Sequence, residues 1–206
     1  MTAPQFTSAE LIAMLCDQLG DVGVAQSEKQ AIEHIRLLEK LKAAAGALQA
    51  RETMVLEQYR FNAEALAEVP KHRWGKGLAA EVGLARGQST SRGHKALNIA
   101  RALLTDLPFT YAALQSGRIS EEAAGIMTTE TSWLSSEHRR AVDALMADRF
   151  DAGLGPRKLG NEVAAHAQRL DQHGAVERMK IAVTNRGVSM RPAADGMTLL
   201  YLSSRL

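Results

Sequence analysis

The chain has 206 residues, a net charge of +2, 46% hydrophobic residues and only 4% aromatics. No apolar run approaches the ~20 residues of a membrane-spanning helix, the N-terminus MTAPQFTSAEL lacks the basic head and apolar core of a signal peptide, and one cysteine, Cys16, excludes an internal disulfide. A soluble cytoplasmic protein with no membrane partner is expected. It should be mainly helical, because Ala and Leu dominate the apolar fraction while the residues that favour strands are few.

The first helix is predicted over about Ser8 to Leu19. Thr7 and Glu10 have capping-box spacing. Leu11, Met14, Leu15 and Leu19 form its stripe, with Cys16 at the edge read as a structural rather than a reactive thiol. Gly20 to Gly23 break the chain, and Ser27 with Gln30 sets a second capping box. From about 27 to 61 there is no proline and one glycine, Gly46. Ile32, Ile35, Leu38, Leu41, Ala45, Leu48, Val55 and Tyr59 recur at spacings of three, four or seven. A helix of ~35 residues would be about 50 Å long, and its stripe needs a cover, either a neighbouring helix or the same helix of a second subunit.

Asn62 to Ala67 can extend that helix until Val69-Pro70 ends it. Lys71-His72-Arg73-Trp74-Gly75-Lys76-Gly77 reads either as a solvated connector or as a phosphate-contacting arm. A short helix from Leu78 to Val82, a break at Gly83-Leu84 and a longer helix capped by Ser89 follow, so that about 78–106 has the order of a helix-turn-helix. Ala96, Ala100, Leu103 and Leu107, joined by Ile99 and Leu104, are the expected core stripe. Ser91, Lys95 and Asn98, with Arg92 beside them, form the other face, which is either plain polar surface or a DNA-contacting one. Gly93 inside this helix costs about 1 kcal/mol against alanine and suggests a close backbone approach.

Leu107-Pro108 opens a short helix that ends at Gly117, expected at a C′ position. Ser120 caps the next, Glu121 to about Thr131. Glu121-Glu122 suits the dipole of a first turn better than an acid/base pair. Ser135 or Ser136 caps a helix to about Phe150, with Val142, Leu145 and Met146 inward. Pro156 opens another after Gly153 and Gly155, with Leu159, Val163, Ala167 and Leu170 as its stripe. Ala175 to Asn185 fits either helix or strand. Val188 to Pro192, the turn Ala194-Asp195-Gly196 and Met197 to Leu202 read as a β-hairpin. The stop at Arg205-Leu206 is expected to mark a fragment or a truncated reading frame. Three regions result: 1–68, 69–172 and 173–206.

Charge is unevenly spread. Between Glu68 and Asp106 the only acid is Glu81, against Lys71, Arg73, Lys76, Arg86, Arg92, Lys95 and Arg101. Such a basic stretch over a helix pair is the footprint expected of a polyanion partner. No catalytic constellation stands beside it. The histidines lack metal-ligand spacing and no cysteine pair exists, so no metal or cofactor is expected. Phosphate-binding and nucleophile-elbow motifs are missing too.

The stretches GLAAEVGLARGQSTSRGHKALNIARALLTDLP, ALQSGRIS and GLGPRKL, and the ending VSMRPAADGM, resemble the actinobacterial domain of unknown function that precedes HNH endonuclease modules, the mycobacterial 13E12 repeat family. The resemblance covers about Trp74 to Leu200. It implies that nuclease chemistry belongs to a separate module with its own histidine and asparagine motifs, so no catalytic residue is carried over. This chain departs from the pattern where relatives place proline after the capping serine, having Ser89-Thr90, and in a basic run reduced to Arg178-Met179-Lys180.

The reading is a mainly α fold with one long helix (about 27–61) and a C-terminal β-hairpin. Its function is expected to be non-catalytic: holding double-stranded DNA through Lys71, Arg73, Lys76, Arg86, Arg92 and Lys95, with Ser91 and Asn98 able to read bases. The alternatives are a helical assembly module, a homodimer through the long helix, and a truncated repeat copy without present activity.

Overall fold

In the computed structural model the described residues are 7–184, 187–192, 195 and 197–203. They form α1 (Ser8–Gly20), α2 (Glu28–Leu66), α3 (Leu78–Ala85), α4 (Thr90–Thr105), α5 (Pro108–Gln115), α6 (Glu121–Thr131), α7 (Ser136–Met146), α8 (Pro156–Leu170), α9 (Gln172–Thr184), β1 (Gly187–Pro192) and β2 (Thr198–Ser203). Short 3₁₀ turns lie at Lys71–Arg73 and Ala147–Ala152. The mainly α reading with a terminal hairpin holds. The ambiguous stretch near the end is helical through Thr184, and its last residue, Asn185, lies outside the described residues. The strands pair antiparallel with Val188 opposite Leu202; of the expected turn, Ala194 and Gly196 lie outside the described residues. None of the described helices is long and apolar enough to cross a membrane.

The chain divides into two compact units, Met1–Leu38 and Glu39–Leu206. In the smaller, α1 starts at the expected capping box: Thr7 Oγ1 accepts from the Glu10 amide at 3.3 Å while Glu10 Oε2 accepts from the Thr7 amide at 2.7 Å. No residue of α1 is buried. Cys16 is exposed, so the structural role expected at the edge of the stripe does not come from burial.

In the larger unit the core gathers small and straight-chain residues. Leu103, Leu107, Leu114, Met127, Val142, Met146 and Val163 are sealed from solvent. The face that α2 gives to it differs from the expected stripe. Ala43, Gly46, Ala47, Ala50, Thr53 and Glu57 are buried, whereas Leu41, Val55 and Tyr59 are 41%, 41% and 72% exposed. There is little room at this contact for larger side chains. A Cβ on Gly46 would come within 2.9 Å of Glu121 Cγ, and one on Gly117 within 2.9 Å of Lys40 Cα.

Three more stripe positions turn out differently. Leu104, Leu145 and Leu170 point outward, 37%, 52% and 37% exposed, and Leu97 is buried on α4 instead. The helix before Phe150 is α-helical only to Met146 and tightens into a 3₁₀ turn. The expected caps at Ser89, Ser120 and Ser135 are present. Gly117 is a C′ residue in the left-handed region, with Arg118 N–H on Ala113 O and Gly117 N–H on Leu114 O, the paired bonds of a Schellman ending.

Candidate nucleic-acid interface

The basic stretch is built on α3 and α4. The break expected at Gly83 is not one: α3 continues to Ala85, and the turn is made by Gly87 at φ 63°. Gln88 N–H donates to Gly83 O at 2.7 Å and Gly87 N–H to Leu84 O at 3.0 Å, again a Schellman ending. Ser89 Oγ then accepts from the Arg92 amide at 3.4 Å and starts α4. The two glycines serve contact rather than a turn. A Cβ on Gly93 would stand 1.9 Å from Ala79 O and 2.7 Å from Gly83 N, and one on Gly83 would stand 2.8 Å from Ser89 O. The close approach expected at Gly93 is thus to the backbone of α3. Leu78, Ala79 and Leu97 fill the small cluster beside it.

The loop before α3 is anchored. Trp74 Nε1 donates to Val69 O at 2.7 Å, the Gly75 amide donates to Glu64 Oε2 at 2.8 Å, and the Trp74 ring lies 5.6 Å from that of Phe61 on α2. Gly75 and Gly77 take positive φ, and a Cβ on Gly75 would touch Phe61 at 3.0 Å. These ties hold the backbone bearing Lys71, Arg73 and Lys76 in place.

The expected site residues fall into three groups. Lys71, Arg73 and Lys76 are exposed on this loop. Ser91, Arg92, Lys95 and Asn98 are exposed on α4. Lys71, Arg73, Lys76, Arg92 and Lys95 make no ion pair among the described residues. Arg86 is different: it is half-buried, its guanidinium donates to Gln49 Oε1 and to Glu121 Oε1 at 3.1 Å, and its Nε is enclosed without an acceptor. Arg101, counted in the basic stretch, is bound to the buried Glu57. Glu81, the only acid of the stretch, is held at 2.6 Å by Arg60 from α2, a pair 21 residues apart that no local spacing reveals. Arg60 is held above its usual basicity by that hydrogen bond and charge.

Arg86, Arg92 and Lys95 share a cleft of about 640 Å³ with Glu121, Glu122 and Glu130 of α6, over a floor that includes Ala96, Ile99 and Leu103. Ser91 and Asn98 lie outside its lining. Glu121 and Glu122 sit in the first turn of α6, as the dipole reading anticipates, and Glu121 also pairs with Arg86.

Elsewhere in the larger unit, Asp143 is fully buried on α7 and caps α5. Its carboxylate accepts from the amides of Phe109 at 2.7 Å and Thr110 at 3.0 Å and from the Thr110 hydroxyl at 2.5 Å. Burial pushes this carboxyl above its ordinary range, and the three donors oppose the shift. The sequence signal was an acid between the apolar Val142 and Met146, and only the fold supplied the donors. Among the described residues no group of three His, Cys, Asp or Glu side chains is placed to hold a metal ion.

A family described as a domain of unknown function (DUF222) matches residues 35–203. No curated protein and no solved structure matches the chain.

Proposed function

The chain belongs to the DUF222 family, and from that premise we propose that it is a non-catalytic domain engaging double-stranded DNA for an HNH endonuclease-like partner module. The observation that carries this is the state of the charges between Glu68 and Asp106. Five of the seven cations, Lys71, Arg73, Lys76, Arg92 and Lys95, are exposed without an ion pair among the described residues, while the one intervening acid, Glu81, is neutralised by Arg60. Free cations on an anchored loop and on the second helix of a helix-turn-helix pair suit phosphate contacts, because each displaces a condensed counterion.

In this reading Ser91 and Asn98 are the base-reading candidates, since both side chains donate and accept on the exposed face of α4. Arg86 acts indirectly. Its bonds to Gln49 and Glu121 hold the α3–α4 turn against α2 and α6, and its charge is largely spent there. The acids of α6 beside Arg92 and Lys95 limit how much duplex that side can accept, so binding is expected to be moderate.

Fluorescence anisotropy with a short duplex at two salt concentrations tests the proposal. Five phosphate contacts give a slope of log affinity on log salt of roughly −4 to −5, with micromolar binding near 50 mM salt. Arg92→Glu with Lys95→Glu should weaken binding and flatten the slope by about 2. No binding at the lower salt removes the reading.

A further inference from the structure

The cleft between α4 and α6 carries charges that the chain itself does not pair. Arg92 and Lys95 of α4 line it together with Glu122 and Glu130 of α6. None of these four side chains makes a hydrogen bond or ion pair among the described residues. The rest of the lining is mainly apolar and includes Ile99, Leu103 and Ile126. The two helices do not close on each other here: a Cβ on Gly125 would meet only Ile99 Cδ1, at 3.9 Å. The volume, about 640 Å³, is that of a pocket for a small molecule, ~300–1,000 Å³.

Two members of the lining are unfavourable within the chain alone. Glu130 is half-buried in the last turn of α6, where the negative end of the helix dipole opposes an acid. No cation among the described residues answers it. Arg86 keeps its Nε enclosed without an acceptor, a costly state for a buried donor. The other acids are provided for. Glu122 lies in the first turn of α6, which suits its charge, and Glu121 is paired with Arg86.

We propose that this cleft binds a short peptide with free termini. Its ammonium is held by the acids of α6, Glu130 above all, its carboxylate by Arg92 and Lys95, and its apolar side chains lie over Ile99 and Ile126. Simpler ligands fit the charges less well. An anion alone meets the acids of α6. A metal ion meets the cations of α4, and no group of three ligating side chains is placed for it among the described residues. A wholly apolar molecule strips water from four charges and returns no partner to any of them. A zwitterion with an apolar body answers both signs, and its carboxylate brings the acceptor that Arg86 lacks. The site shares Arg92 and Lys95 with the proposed duplex surface but does not rest on that reading, because Glu130 and the apolar lining favour no duplex.

The test is a titration of the ¹⁵N-labelled full chain with a tetrapeptide of alanine and leucine, free at both ends. Amide resonances of α4 and α6 should shift with a dissociation constant on the order of 100 µM. Acetylating the peptide amine or amidating its carboxylate should each weaken binding by about tenfold or more, the loss of one charge-assisted contact. In Glu130→Gln, acetylation should cost nothing further; in Arg92→Gln with Lys95→Gln, amidation should cost nothing further. Glu130→Gln should leave the urea midpoint of the protein unchanged or higher, so that weaker peptide binding is not loss of fold. It should not weaken duplex binding, which separates this site from the DNA reading. Absence of any shift in α4 and α6 up to about 5 mM peptide, far above the expected constant, overturns the proposal. So does a doubly blocked peptide that binds as well as the free one, or an end effect that survives in its matching variant.

Discussion

Gly93→Ala is the sharpest probe of how the basic helix is positioned. Two effects oppose each other. In a helix with open space at that point, alanine stabilises by about 1 kcal/mol over glycine. Here the new methyl would lie 1.9 Å from Ala79 O and 2.7 Å from Gly83 N. Neither atom is the tip of a flexible side chain; both belong to the α3 backbone, so α4 must move away by more than an ångström to restore normal contact. Overpacking of this kind costs typically 1–3 kcal/mol, and more when backbone meets backbone. The clash therefore outweighs the propensity gain, and a net loss of about 2 kcal/mol or more is expected. Urea denaturation followed by circular dichroism measures it. Gly125→Ala on α6 is the control, because its methyl would meet only Ile99 Cδ1 at 3.9 Å; that variant should gain up to about 1 kcal/mol. A Gly93→Ala protein as stable as wild type would refute the packing argument, since the helix pair would then not be set by that glycine.

Two further outcomes follow from the buried Asp143 carboxylate and the half-buried Glu162. Asp143→Ala removes three acceptor contacts from the start of α5 and leaves the Thr110 hydroxyl buried and unpaired; a loss of about 3 kcal/mol in the same urea assay is expected, with Asp143→Asn losing less. Carboxyl carbon NMR titration should place Asp143 above an unfolded aspartate, about 3.9, because burial dominates, and Glu162 below an unfolded glutamate, because Arg149 donates to it. The signs differ accordingly. The Asp143 contribution is fully present below the unfolded aspartate value and is lost as pH rises through its raised folded value. That of Glu162 is present above the unfolded glutamate value and is lost as pH falls through its lowered folded value. Opposite shifts would overturn both attributions.

Local chemistry in this protein was legible one residue at a time. Thr7, Ser89, Ser120 and Ser135 announce helix starts because their oxygens can reach an amide two or three residues ahead, and each does so. Gly117 announces a C′ position, and Pro108 and Pro156 announce first turns, for equally local reasons. The basic bias between Glu68 and Asp106 is likewise a property of the string. Where large apolar residues point was not legible. The expected stripe of α2 follows the biggest side chains, yet the fold buries Ala43, Gly46, Ala47 and Ala50, where the Glu121 side chain stands too close to Gly46 for a larger residue. Charge use was equally hidden. Arg86 and Lys95 look alike in the sequence, but Glu121 and Gln49 reach Arg86 across 35 and 37 positions while nothing described pairs with Lys95. The sequence by itself settles where the capped helices begin and where positive charge is concentrated, since those depend on neighbours a turn away. Only the tertiary structure decides which face is core and which cation is free, since those depend on partners that chain separation conceals.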